Sequence, residues 1–238
     1  MSHDNHVFVR EFLSEFYEHR FTSGLITESE YFLNQSVLVS DEFEWFSHEL
    51  FARAPAPVEM RGCGTIRLIH LREMDGTEFP FLLALPSTRG AKQALTCFVG
   101  HRFLKSIQGP LRFNLAHVFN PYGIELRWSA QDLSATETFR DIISGIRNSK
   151  MCFFDTFATT NKPNVYIEVG IACAFRVPMI LAEYEGGTSL EGQSEIPSDL
   201  QGLFRIRYTS YRELFRKLYF GLPNFIVKNR IRTTRRRR

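Results

Sequence analysis

An α/β fold is predicted for this chain, with a five-stranded parallel sheet preceded by a smaller α+β region. Three observations predict it. From Ala94 onward, short apolar runs alternate with segments of helical spacing. Before that point the pattern is different: helical pieces come first, then two alternating runs joined by a turn signal. Finally, the apolar run Met151-Cys152-Phe153-Phe154 ends in Asp155, and a polar loop then leads to a second apolar segment carrying Glu168. Strand, acid, loop and helix in that order describe the mouth of an open α/β sheet, where ligands bind beyond the carboxyl ends of the strands.

The N-terminal region is taken element by element. Val7 to Tyr17 has helical spacing, with Val7, Phe8, Phe12, Leu13 and Phe16 on one face. Ser29 to Val39 and Asp41 to Phe51 are read as two further helices, and Asp41 with Glu44 three residues on fits a capping box. Ala54-Pro55-Ala56-Pro57 is a breaker. Thr65 to Leu71 alternates as a strand does, Asp75-Gly76 is a turn signal, and Glu78 to Leu85 is the second arm of a hairpin. Pro86 to Gly90 reads as a linker.

The sheet region follows. Strands are expected at Leu95–Val99, Gly123–Trp128, Met151–Asp155, Met179–Tyr184 and Leu203–Tyr208. Helices are expected at Pro110–Phe119, Ala135–Arg147, Val165–Phe175 and Tyr211–Phe220, and Gly186 to Pro197 reads as a polar loop. Pro110 suits a first helical turn, where no amide hydrogen is needed. Right-handed crossovers between parallel strands make a flavodoxin-like order, 2-1-3-4-5, the natural arrangement. The expected organisation is an accessory or self-association region over residues 1–92, the α/β domain over 93–226 and a basic, disordered tail over 227–238.

Composition bounds the function. At 44% hydrophobic residues, 23 of them Phe, the chain can bury a substantial core. No apolar run reaches the ~20 residues of a membrane span, and the first residues lack a secretory signal pattern, so a cytoplasmic protein is expected. Cys63, Cys97, Cys152 and Cys173 are scattered, without the paired spacing of a zinc or disulfide framework, and are expected to be reduced. Lys228, Arg230, Arg232 and Arg235 to Arg238 carry seven positive charges, without which the net +3 becomes −4. A solvated end is favoured over a nucleic-acid contact for this tail, since basic runs arise often by chance.

Among chemistry-bearing residues, Glu168 stands out. With Asn164 as N-cap, Glu168 falls at the fourth helical position, one beyond the place of a capping-box acid. It is surrounded by small and apolar residues, which leaves it at the helix mouth or in a pocket. Asp155 caps the following loop or lines the same mouth. Gly100-His101-Arg102 makes a turn after the first sheet strand, suited to backbone amides and a guanidinium meeting a phosphate, although no full phosphate-loop pattern is present. His101 fits a solvated loop residue as well as a ligand. His3 and His6 form an isolated H-x-x-H, and no metal is assigned to them.

The segments Lys150 to Asp155, Pro163-Asn164-Val165-Tyr166-Ile167-Glu168-Val169-Gly170-Ile171-Ala172 and Pro178-Met179-Ile180-Leu181 together resemble the bacterial TIR-like nucleotide-binding domains and their relatives, the nucleoside 2-deoxyribosyltransferases. Cys97 to His101 is similar to the opening strand of that group, so the resemblance spans roughly residues 95 to 222. It implies cleavage of an N-glycosidic bond, with NAD as substrate rather than cofactor, in a defence or signalling effector such as an antiphage protein. Glu168 would be the catalytic carboxylate, and Gly100, His101, Arg102, Asp155, Asn164 and Tyr166 would line the substrate site. The resemblance implies a homo-oligomer; the N-terminal region, which lies outside it, is expected to join copies or bind a partner protein. Competing readings are a nucleotide sensor without turnover, a deoxyribosyltransferase and an interaction scaffold.

Overall fold

A computed structural model of the chain describes residues 3–85, 95–101, 105–129, 139–157, 164–185 and 204–231. The expected linker at 86–90, the polar loop at 186–197 and the end of the basic tail at 232–238 lie outside the described residues. The chain divides into two compact units. The first takes in Met1–Leu71, Glu78–Thr88 and Tyr219–Phe225, and the second Arg72–Thr77, Arg89–Leu218 and Ile226–Arg238.

In the first unit, α1 (His3–Thr22), α2 (Glu28–Leu38) and α3 (Asp41–Ala52) precede an antiparallel sheet of β1 (Val58–Met60), β2 (Gly64–Arg72) and β3 (Glu78–Leu85), in that order. The buried face of α1 is Val9, Phe12, Leu13, Phe16 and Tyr17, spaced three and four apart. Val7, expected on that face, is exposed instead, because at about 3.6 residues per turn it points to the opposite side of the helix from Val9. Phe12 meets Phe81 edge-on at 5.2 Å, and Phe16 stacks on Tyr219 at 5.6 Å. The Tyr17 hydroxyl donates to the Cys63 carbonyl at 2.6 Å. The capping box expected at Asp41 and Glu44 is absent, for Ser40 caps α3 without a side-chain bond. The motif occurs one helix earlier, where Thr27 and Glu30 exchange bonds at the start of α2. The turn at Asp75-Gly76 is present, with Gly76 at φ 88° and its amide bonded to Glu73.

The second unit holds the parallel sheet. Its strands are β4 (Leu95–Gly100), β5 (Ile124–Trp128), β6 (Met151–Asp155), β7 (Met179–Tyr184) and β8 (Arg205–Tyr208), in the order β5-β4-β6-β7-β8. All four pairings are parallel, so this is the expected flavodoxin-like sheet. Helices α4 (Lys105–Phe119), α5 (Phe139–Asn148), α6 (Asn164–Ala174) and α7 (Tyr211–Lys228) connect and follow the strands, with a 3-10 turn at Asn120–Tyr122. Pro110 lies inside α4, not in its first turn as expected. α7 runs to Lys228, so it includes the first two residues expected in the tail. Phe98, Cys152, Phe154 and Leu181 pack with Ile146, Val165 and Val169 of α5 and α6 in one apolar core. The side chain of Asn114 on α4 accepts from the Arg72 amide at 2.9 Å and donates to the Arg72 carbonyl at 2.7 Å, pairing a backbone position as a neighbouring strand would.

Candidate functional site

The register of the sheet builds the site. Gly100, the last residue of β4, pairs with Phe154 of β6, and Val99 pairs with Trp128, the last residue of β5. Side chains alternate across a strand, so Phe98, Gly100, Cys152 and Phe154 face the α5/α6 side. Ser129 follows Trp128, and its amide bonds the Val99 carbonyl at 2.9 Å. At one level of the sheet, then, Ser129, Gly100 and Phe154 stand side by side at the carboxyl ends of three adjacent strands. This is also the switch point of the sheet, where the connections from β4 and β6 leave in different directions.

Glu168 reaches this row from α6, where it is the fifth helical residue. Its Oε1 accepts from the Ser129 hydroxyl at 2.6 Å. Its other carboxylate oxygen occupies the space above Gly100, so a β-carbon at Gly100 would overlap it and would also crowd the Phe154 ring at 2.6 Å. Gly100 is thus required here for a close approach by a side chain, not for a turn. The carboxylate is buried, with 6% of the residue exposed. Its proximity adds to burial in pushing the Cys152 thiol well above its ordinary range, which makes Cys152 an inert apolar wall and not a nucleophile.

The structure brings Gly100 and Glu168 together and separates others of the expected set. Asp155 follows Phe154, so its side chain leaves the opposite face of the sheet. There it accepts from the Tyr208 hydroxyl at 2.6 Å and from the Phe157 amide at 3.1 Å. Its other carboxylate oxygen is buried without a hydrogen-bond partner among the described residues. Burial pushes its pKa up to about 6, with the Tyr208 and Phe157 bonds pulling the other way. His101 is buried, not solvated. Its ring meets Trp128 edge-on at 5.5 Å, on the face away from Glu168, and Arg112 of α4 lies over the same indole at 5.0 Å. Asn164 is exposed and begins α6, so it sits within the helix and not before it as its cap; Tyr166 is half-buried on the same helix. Arg102 lies outside the described residues.

Ser129 is the member that sequence reasoning missed. It has no motif of its own, and only the β4–β5 register sets it beside Gly100. A fixed carboxylate at the carboxyl edge of a sheet, oriented by a hydroxyl and walled by apolar groups, can stabilise a developing cation or add to an electrophilic carbon.

No protein-family model matches the sequence. No curated protein matches it either. Among solved structures, the fold is similar to that of a CMP N-glycosidase from Clostridium botulinum, at 18% identity and a TM-score of 0.39, over 52% of this chain and 97% of that one.

Proposed function

We propose that the chain cleaves the N-glycosidic bond of a nucleotide, with Glu168 as the carboxylate that meets the sugar, and that NAD is the substrate. The observation that carries this reading is the Glu168 carboxylate seated over Gly100 and held by Ser129 at the carboxyl edge of the central strands. In the reaction, the bond between C1′ and the base nitrogen breaks and its electron pair leaves with the base. The sugar takes on oxocarbenium character, which an adjacent fixed carboxylate stabilises. Nicotinamide in NAD already carries positive charge on that nitrogen, so it departs neutral without a general acid. Water then adds at C1′ and its proton passes to solvent. One carboxylate suffices for such a leaving group, and Glu168, held by Ser129 over Gly100, is our candidate for it. A base that leaves as an anion would need a proton donor as well. Asp155, on the opposite sheet face, is not positioned to supply it to the same atom.

The test is incubation of the purified chain with NAD, NADP, CMP and deoxynucleosides, with chromatography of the products. Nicotinamide release from NAD is expected, falling by roughly 10²–10³-fold in Glu168→Gln, an isostere that can still accept from Ser129. Thermal unfolding of the variant confirms that it is folded. Release that is unchanged in Glu168→Gln would remove the residue from the chemistry. Base release confined to CMP would keep the glycosidase reading and replace NAD. Stabilisation by a nucleotide without turnover would identify a sensor.

A further inference from the structure

In the sequence, His3 and His6 form an isolated H-x-x-H to which no metal is assigned. Folding supplies other neighbours. α1 packs against α3 in the first unit, and His6 of α1 meets His48 of α3 with ring centroids 5.0 Å apart and planes inclined by 75°. Glu44 lies four residues before His48, so the two project from the same face of α3 on consecutive turns. One ligand atom from each of His6, Glu44 and His48 lies within 4.8 Å of the other two. One turn further along α1, the Arg10 guanidinium lies over the Phe43 ring of α3 at 5.1 Å, so the same pair of helices is already in register where the cluster forms.

We propose that His6, Glu44 and His48 form a binding site for a divalent transition metal of the zinc class, which clamps α1 to α3. Two imidazoles and a carboxylate are a donor set that zinc accepts, at ~2.0–2.2 Å per bond. Ligand atoms around a tetrahedral zinc are separated by about 3.4 Å given those bond lengths. The three side chains therefore need to close by at most about 1.4 Å. Glu44 and His48 are exposed and His6 is half-buried, so rotamer changes at the surface can achieve it without moving a helix. Three protein ligands leave a fourth position to water. The set also selects among metals: it contains no thiolate to favour soft ions, and too few oxygens for calcium or magnesium. Because the ligands come from two helices, the bound ion stabilises the folded first unit and not the unfolded chain.

The test uses the metal-free full chain and zinc chloride as the probe, by titration calorimetry and by thermal unfolding. One zinc per chain and a raised midpoint are expected. Cobalt in the same site is expected to give the visible absorption of a four-coordinate ion. His48→Ala, Glu44→Gln and His6→Ala should each weaken binding by about tenfold or more, and the midpoint rise should shrink with them. Glu44 and His48 are exposed and His6 is half-buried, and circular dichroism without metal checks that the variants fold. His70→Ala, at an exposed histidine on β2, should leave zinc affinity unchanged. Zinc affinity that is insensitive to His48→Ala and Glu44→Gln, or no binding at 100-fold molar excess, would overturn the proposal. Equal stabilisation by magnesium would do the same.

Discussion

The Glu168 carboxylate occupies the space that a side chain at Gly100 would fill. The two residues come from different elements, the end of β4 and the second turn of α6, and 67 residues of sequence separate them. Two turns of the fold make the meeting inevitable: β4 and β6 pair with Gly100 opposite Phe154, and α6 returns across the face that Phe154 presents. A glycine at the end of a buried strand is otherwise costly, since it contributes no apolar area. Here its missing β-carbon is the floor of the candidate site.

Gly100→Ala should therefore act on both stability and chemistry. The added methyl meets the Phe154 ring and the Glu168 carboxylate, neither of which is the loose end of an exposed chain. Overpacking of this kind costs ~1–3 kcal/mol. The expected result is a lower unfolding midpoint, together with loss of nicotinamide release beyond what the remaining folded fraction explains. An alanine variant with unaltered midpoint and turnover would show that the carboxylate does not rest on Gly100.

Ser129→Ala separates orientation from charge. It removes the hydroxyl that donates to Glu168 at 2.6 Å and leaves the carboxylate itself in place. A hydrogen bond to a charged, buried group contributes roughly 1.5–3 kcal/mol. If Glu168 is the carboxylate that meets the sugar, as proposed, Ser129 acts only through it, and turnover should fall by about 10–100-fold through kcat with KM little changed. Ser129→Thr keeps the hydroxyl and should recover part of the loss. An equal drop in Ser129→Thr and Ser129→Ala would assign the effect to packing.

How much of this was legible in the sequence follows from which physical signals are local. The strands β6 and β7 were readable because both of their faces are buried, which writes a continuous apolar run between polar segments. Glu168 was conspicuous for the opposite reason, as a charge inside such a run. The Gly100–Glu168 approach and the Ser129 bond depend on register, which no local pattern encodes. The same holds for Asp155. Its place at a strand end is readable, but adjacency to Phe154 sends its side chain to the other face, toward Tyr208 and away from Glu168. Asn114 gave no signal at all, since its partner is the backbone of Arg72.

Asp155 also makes stability depend on pH. Its carboxyl titrates near 6 in the folded chain, above its ordinary value of 3.8, with burial as the main cause. A carboxyl raised in this way binds more protons folded than unfolded between those values, so stability falls as pH rises through that window. The contribution is complete below about pH 4 and gone above about pH 6, a loss of roughly 2–3 kcal/mol. Asp155→Asn cannot ionise and can still accept from Tyr208 and the Phe157 amide. Its unfolding free energy should therefore lack this slope, and relative to the parent it should gain stability between pH 4 and pH 7. Tyr208→Phe removes a bond that favours the charged form, so it should move the window upward. Chemical denaturation across this range checks both, and parallel stability curves for parent and Asp155→Asn would refute a titrating carboxyl at this position.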